Sequence, residues 1–180
     1  DLPKVLVAKQ FLEKINSAVN IKVHFSNLDY ENINIIKSDL ILDCTDNLET
    51  RFLINEFSIK NNIPFIYSSA IKNHGYIFNI LPGKPCLKCI LRNSKTTETC
   101  ETSGVLNTIT NTIASLQVNE AIKIILDRNP EENLIYINLS NNEITKIKVK
   151  KDPRCKSCSK DFEYLTGKNQ SKFIRYCGSS

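Results

Sequence analysis

Two pairs of cysteines carry the strongest chemical signal: Cys86-Leu87-Lys88-Cys89 and Cys155-Lys156-Ser157-Cys158. Each pair places two thiols on one tight turn. Two such turns complete a closed, tetrahedral four-thiolate shell for zinc, which is a structural site rather than a catalytic one. The stretch between the pairs is too long for a zinc ribbon, so the metal would clip distant parts of the chain together. The alternatives are a redox C-x-x-C or accidental pairs. A redox motif needs one such pair after a strand, not two in polar loops.

A second group is Asp43-Cys44-Thr45-Asp46-Asn47, which falls where an apolar run ends and a helical pattern begins. In open α/β sheets the carboxyl edge of the strands is where ligands bind. A carboxylate there can hold Mg2+ on a polyphosphate. The competing reading is that Asp46 or Asn47 simply caps the helix, a task both residue types perform well. A third candidate is Cys100, in a polar stretch just ahead of a helical pattern. A thiol near a helix N-terminus can ionise readily and act as a nucleophile. Its alternative is an ordinary loop cysteine. Cys44, inside its apolar run, reads as core packing, and His24 and His74 read as incidental.

The elements that must position these groups follow from periodicity. Residues 3–16 read as an amphipathic helix, with Val5, Ala8, Phe11, Leu12 and Ile15 at helical spacing and Pro3 in its first turn. Residues 21–25 alternate as a strand. Residues 39–44 form a short apolar run of the kind found in a central parallel strand buried on both faces. A helix is expected over 48–61, then strands over 64–69 and 75–81. Residues 82–104 are a long polar excursion, and such excursions are often functional. A helix over 108–126 is expected to bury Ile109, Ile113, Leu116, Ala121 and Ile124 or Ile125. A hairpin turns around Asn141 and Asn142. Residues 162–165 and 173–176 read as short strands. The order argues an α/β fold with parallel pairing.

The totals bound the rest. The chain has 180 residues, 41% hydrophobic and 24% charged, with a net charge of +5. That is enough for one core. No apolar run approaches the ~20 residues needed to cross a bilayer. A soluble, cytoplasmic protein without membrane contact is expected, and its 7 cysteines then suit metal or catalysis better than disulfides. The 5 glycines stand apart, so the 180 residues hold no Gly-rich phosphate loop. The chain has no Met, and it is expected to be part of a longer polypeptide. Much of the positive charge sits in residues 146–160, with six lysines and Arg154 against Asp152. No aromatics interleave this stripe, as stacking nucleic-acid readers require. A solvated surface that offsets thiolate charge is the expected role.

Together these pieces resemble the ThiF/MoeB/HesA adenylyltransferases, relatives of the ubiquitin-activating enzymes. The resemblance runs from Leu2 to about Cys158 and covers the later two-thirds of that family. It rests on Pro3-Lys4-Val5, DLILDCTDNLETR (39–51), PFIYSSAIKNHGYIFNILPGKPCLKC (64–89), TCETSGVLNT…SLQVNEAIKIIL (99–126) and DPRCKSC (152–158). It implies ATP- and Mg2+-dependent adenylation of the C-terminal Gly-Gly of a ubiquitin-like sulfur carrier, followed by thiocarboxylate formation in thiamin or molybdopterin pathways. Lys4 would bind the phosphates. Asp46 would place Mg2+ and ATP, and Asn47 and Arg51 would support the nucleotide or the carrier tail. Cys86, Cys89, Cys155 and Cys158 match the zinc ligands. Cys100 matches a thiol that some members use for a covalent link or for sulfur transfer.

The resemblance further implies a Rossmann-like, mostly parallel sheet that lacks its first nucleotide-binding unit. Residues 1–150 would be a partial adenylyltransferase domain. Residues 151–180 would hold the second cysteine pair and a small β extension. The family's Gly-rich turn would lie before Asp1, so the chain is expected to be inactive alone and to form a homodimer. A non-catalytic partner subunit of a heterodimeric activating enzyme is the alternative. A zinc-dependent nucleic-acid binder is a third reading, separated from both by steeply salt-dependent DNA affinity.

Overall fold

A computed structural model describes residues 2–91 and 103–169. Cys100 and the expected strand over 173–176 lie outside the described residues. Five strands form one sheet in the order β1-β2-β3-β4-β5. They are β1 (Ile41–Leu42), β2 (Phe65–Ile71), β3 (His74–Ile80), β4 (Leu134–Asn138) and β5 (Glu143–Ile147). The helices are α1 (Lys4–Ile15), α2 (Leu48–Asn61), α3 (Leu87–Ile90) and α4 (Asn107–Ile125).

The fold is α/β, as expected, but the sheet is not mostly parallel. Only β1 and β2 run parallel. The pairs β2–β3, β3–β4 and β4–β5 are antiparallel. For β2–β3 the reason is the two-residue connection Lys72-Asn73, which leaves no room for the crossover that parallel pairing needs. Lys72 takes the left-handed conformation of this turn, with φ 52°.

The sheet has a layer on each face. α4 covers one, where Ile109 and Ile113 meet Ile66, Ile77, Ile135 and Ile137. At the closest approach sits Gly75, where a Cβ would lie 2.7 Å from Ile113 Cγ1 and 2.6 Å from the Ser69 carbonyl oxygen. α2 and the cysteine-bearing segments cover the other face, against Phe65, Tyr67, Phe78, Ile80 and Leu134. Phe65, Ile66 and Tyr67 are all buried, as are Ile77 and Phe78, so β2 and β3 are both covered on their two faces. β1 has only two residues and ends the sheet among the described strands, with Leu42 38% exposed. Cys44 beyond it is exposed, which corrects its reading as core.

α2 spans the expected residues. Asn47 caps it by accepting from the Thr50 N–H at 2.8 Å, and Asn62 ends it in the left-handed conformation. α4 buries Ile109, Ile113 and Ala121, together with Gln117 and Glu120, while Ile125 is exposed. Residues 21–25 form no strand, and Phe25 is 79% exposed. Residues 162–165 form turns rather than a strand. α1 buries none of its residues.

Candidate functional site

The carboxyl end of β1 is organised by Asp43, a member of the second candidate group to which the sequence assigned no role of its own. Asp43 is buried, and its Oδ1 accepts from the Thr45 N–H at 2.8 Å and the Thr45 hydroxyl at 2.7 Å. Arg51, one turn into α2, sets Nε 3.0 Å from Asp43 Oδ2. The same guanidinium donates to the carbonyls of Thr45 and Ser68 and lies 5.3 Å from the centroid of the Tyr67 ring. The Asp43 carbonyl accepts from the Ser68 hydroxyl at 2.9 Å and from Gln117 Nε2 at 3.0 Å. One aspartate therefore joins β1, β2, α2 and α4. Burial pushes the Asp43 carboxyl above its ordinary range, and Arg51 and Thr45 pull it part of the way back.

This network holds the turn that presents Asp46. Asp46 is exposed just ahead of α2, with Asn47 Nδ2 3.5 Å from its Oδ1. Asp46, Asn47 and Arg51 thus share one edge, and a carboxylate there is open to a solvated cation. Asn47 also does the capping that its alternative reading assigned to it. Lys4 is exposed on α1 and takes no part in the network around Asp43. The signal for Asp43 was a carboxylate inside an apolar run, followed by an arginine on the next helix. Gln117 left no such signal.

The four cysteines come together from both ends of the chain. Their sulfurs all lie within 4.8 Å of one another. Cys86 Sγ is 3.9 Å from Cys89, 3.5 Å from Cys155 and 3.4 Å from Cys158, and Cys89 is 3.6 Å from Cys158. A tetrahedral zinc with bonds of ~2.3 Å has sulfur–sulfur edges of about 3.8 Å, so these spacings fit that ion. The Asp152 N–H points at Cys89 Sγ at 3.5 Å, a donor suited to a thiolate. Hydrogen bonding with its neighbour thiols raises the Cys86 thiol, with burial adding to it, while Cys89 is lowered by bonds from Cys158 and Cys86. Lys88 and Lys156 flank the cluster and bind Glu163 at 2.8 and 2.6 Å.

The ThiF family profile matches residues 1–157. The chain belongs to the ThiF family. This ThiF-family chain is 33% identical over 185 residues to the sulfur carrier protein ThiS adenylyltransferase of Bacillus subtilis (strain 168), covering 99% of the chain and 55% of the relative. It is 26% identical over 163 residues to the SAMP-activating enzyme E1 of Haloferax volcanii, covering 87% and 60%. It therefore spans a little over half the length of these curated relatives. Among solved structures, Escherichia coli MccB with ATP superposes with a TM-score of 0.72 at 22% identity, over 87% of this chain and 50% of that one. That likeness shows the fold. Among the described residues, no helix is long and apolar enough to cross a membrane.

Proposed function

We propose that this chain is the carrier-binding and metal-bearing part of an ATP-dependent adenylyltransferase acting on a ubiquitin-like sulfur carrier that ends in Gly-Gly. The observation that carries the reading is the β1–α2 edge, where a buried Asp43–Arg51 pair fixes the turn presenting Asp46. The names of the similar proteins, which activate ThiS and SAMP, support the substrate class.

In the proposed reaction the carrier's terminal carboxylate oxygen bonds to the α-phosphorus of ATP. The bond from that phosphorus to the bridging oxygen breaks, and pyrophosphate leaves. Asp46 would place the Mg2+ that offsets the charge building on the phosphates, with Lys4 as a second counter-charge. Asn47 fixes the helix terminus beside it. Arg51 is already paired with Asp43 and donates to two carbonyls, so its role is to hold the edge in shape. Cys100 is proposed as the thiol for the sulfur-transfer stage. Cys86, Cys89, Cys155 and Cys158 would hold a zinc ion in a structural role, since four thiolates would leave it no open position for chemistry. A homodimer in the cytoplasm, with no nucleic-acid or membrane partner, completes the reading.

The 180 residues contain no Gly-rich phosphate loop, so the chain alone is proposed not to catalyse the exchange. The test joins it to a Gly-rich nucleotide-binding segment from a ThiF-family relative. ATP–pyrophosphate exchange is then measured with a ubiquitin-like protein ending in Gly-Gly. Exchange should require the Gly-Gly end and fall by about 10²- to 10³-fold in Asp46→Ala. Exchange that ignores the carrier, or that survives in Asp46→Ala, would overturn the proposal.

A further inference from the structure

The middle of α2 holds two polar residues with no exposed surface, Asn55 and Glu56. Neither touches the Asp43 edge. A buried carboxylate is costly unless its acceptors are filled by donors. Those of Glu56 are filled, and among the described residues its hydrogen-bond donors come from the C-terminal segment. The Ser157 hydroxyl donates to Oε1 at 3.1 Å, and the Glu163 N–H donates to the same oxygen at 3.3 Å. The N–H groups of Tyr164 and Leu165 donate to Oε2 at 2.8 and 3.1 Å. Asn55 Oδ1 accepts from the Leu87 N–H at 2.9 Å.

The donors' positions give the arrangement its meaning. Leu87 lies inside Cys86-Leu87-Lys88-Cys89, and Ser157 lies inside Cys155-Lys156-Ser157-Cys158. Both are fully buried. Adjacent α2 residues therefore grip the interior of each cysteine pair, one side chain to each. Lys88 strengthens the link, with Nζ 3.9 Å from Glu56 Oε1. Bringing together two cysteine pairs so far apart in the chain carries the entropic cost of closing a long loop, and contacts that dock both pairs on one helix meet part of that cost before any metal binds.

We propose that Asn55 and Glu56 are positioning residues of the metal centre, holding the two cysteine pairs against α2 so that the four sulfurs stand at tetrahedral spacing before the metal arrives. The proposal rests on the reading of Cys86, Cys89, Cys155 and Cys158 as metal ligands. Partners that orient ligands are worth about 10- to 100-fold in metal affinity.

The test uses the full 180-residue chain and Co2+ as the probe, with affinity read from the thiolate-to-cobalt absorption in competition with a chelator. Glu56→Gln and Asn55→Ala should each weaken binding about 10- to 100-fold while keeping the tetrahedral cobalt spectrum at saturation. Ser157→Ala removes one hydroxyl and should weaken it about 3- to 10-fold. Ile113→Val, in the core on the other face of the sheet, is the stability control and should leave cobalt affinity unchanged. Affinity within twofold of wild type in Glu56→Gln and Asn55→Ala would overturn the proposal, as would an equal loss in Ile113→Val. Where those variants do not fold, unchanged affinity in Ser157→Ala overturns it. A wild-type chain that takes up no cobalt overturns the ligand reading, and this proposal with it.

Discussion

Arg51→Met tests the edge most directly, because it removes a cation and leaves a buried anion behind. The Asp43 side chain has no exposed surface and that of Arg51 only 12%. After the substitution Oδ1 keeps both Thr45 donors, while Oδ2 loses the guanidinium. The carbonyls of Thr45 and Ser68 lose a donor as well. Removing one partner of a buried pair costs about 3–5 kcal/mol. In a chain of this size each kcal/mol moves the melting midpoint by about 2–4 °C, so a drop of at least ~6 °C is expected near neutral pH. The loss should depend on pH. Asp43 already titrates above its ordinary value in the folded chain, so its contribution is complete below the unfolded pKa and is lost as pH rises through the folded one. Without Arg51 the folded value moves higher still, and the loss extends to higher pH. The gap between wild type and variant in urea titrations should therefore narrow toward pH 4 and widen toward pH 8. Asp43→Asn combined with Arg51→Met should be more stable than Arg51→Met alone, since no stranded charge remains. A gap below ~1 kcal/mol, or one flat across that pH range, would refute the reasoning.

Two further outcomes follow from packing and from the cysteines. Gly75→Ala drives a Cβ against Ile113 and the Ser69 carbonyl, where α4 meets β3. Overpacking of this kind costs about 1–3 kcal/mol, and a urea midpoint equal to wild type would contradict the close contact. Metal analysis should find about one zinc per chain, and stripping it with a chelator should lower the melting midpoint. A stable chain that purifies without metal would contradict the four-ligand assignment.

The elements that could be read from the sequence were those whose pattern is local. α2 carries its own cap, Asn47, and its own stop, Asn62 before Pro64. The β4–β5 hairpin announces itself through Asn141 and Asn142, and both cysteine pairs are legible from spacing alone. Strand direction was not read correctly, although its signal was present. Ile71 and His74 are separated by Lys72 and Asn73, and a connection that short admits only antiparallel pairing. The alternation over residues 21–25 failed for a different reason, since a strand needs a neighbour and none of the described strands pairs with it. Residues 162–165 have apolar and aromatic strand formers, yet the N–H groups of 163, 164 and 165 go to Glu56. One carboxylate outcompetes a ladder there, and nothing near residue 163 announces it.

The residues that hold the site together were hidden by the same logic that makes them useful. A helix packed on one side shows an apolar stripe and a polar face, and its polar face reads as solvent-exposed. In α2 the run from Leu53 to Ser58 is buried all round, including Asn55, Glu56 and Ser58. The sheet covers one side of the helix and the cysteine-bearing segments cover the other. The carboxylate of Glu56 and the amide oxygen of Asn55 are met there by donors, Ser157 and Leu87. The buried oxygens of Asn55 and Glu56 are thus the imprint of the segments docked on α2. The helix that holds Arg51 at the candidate active edge, one turn before Asn55, also grips the cysteine pairs, so one rigid element connects the two sites.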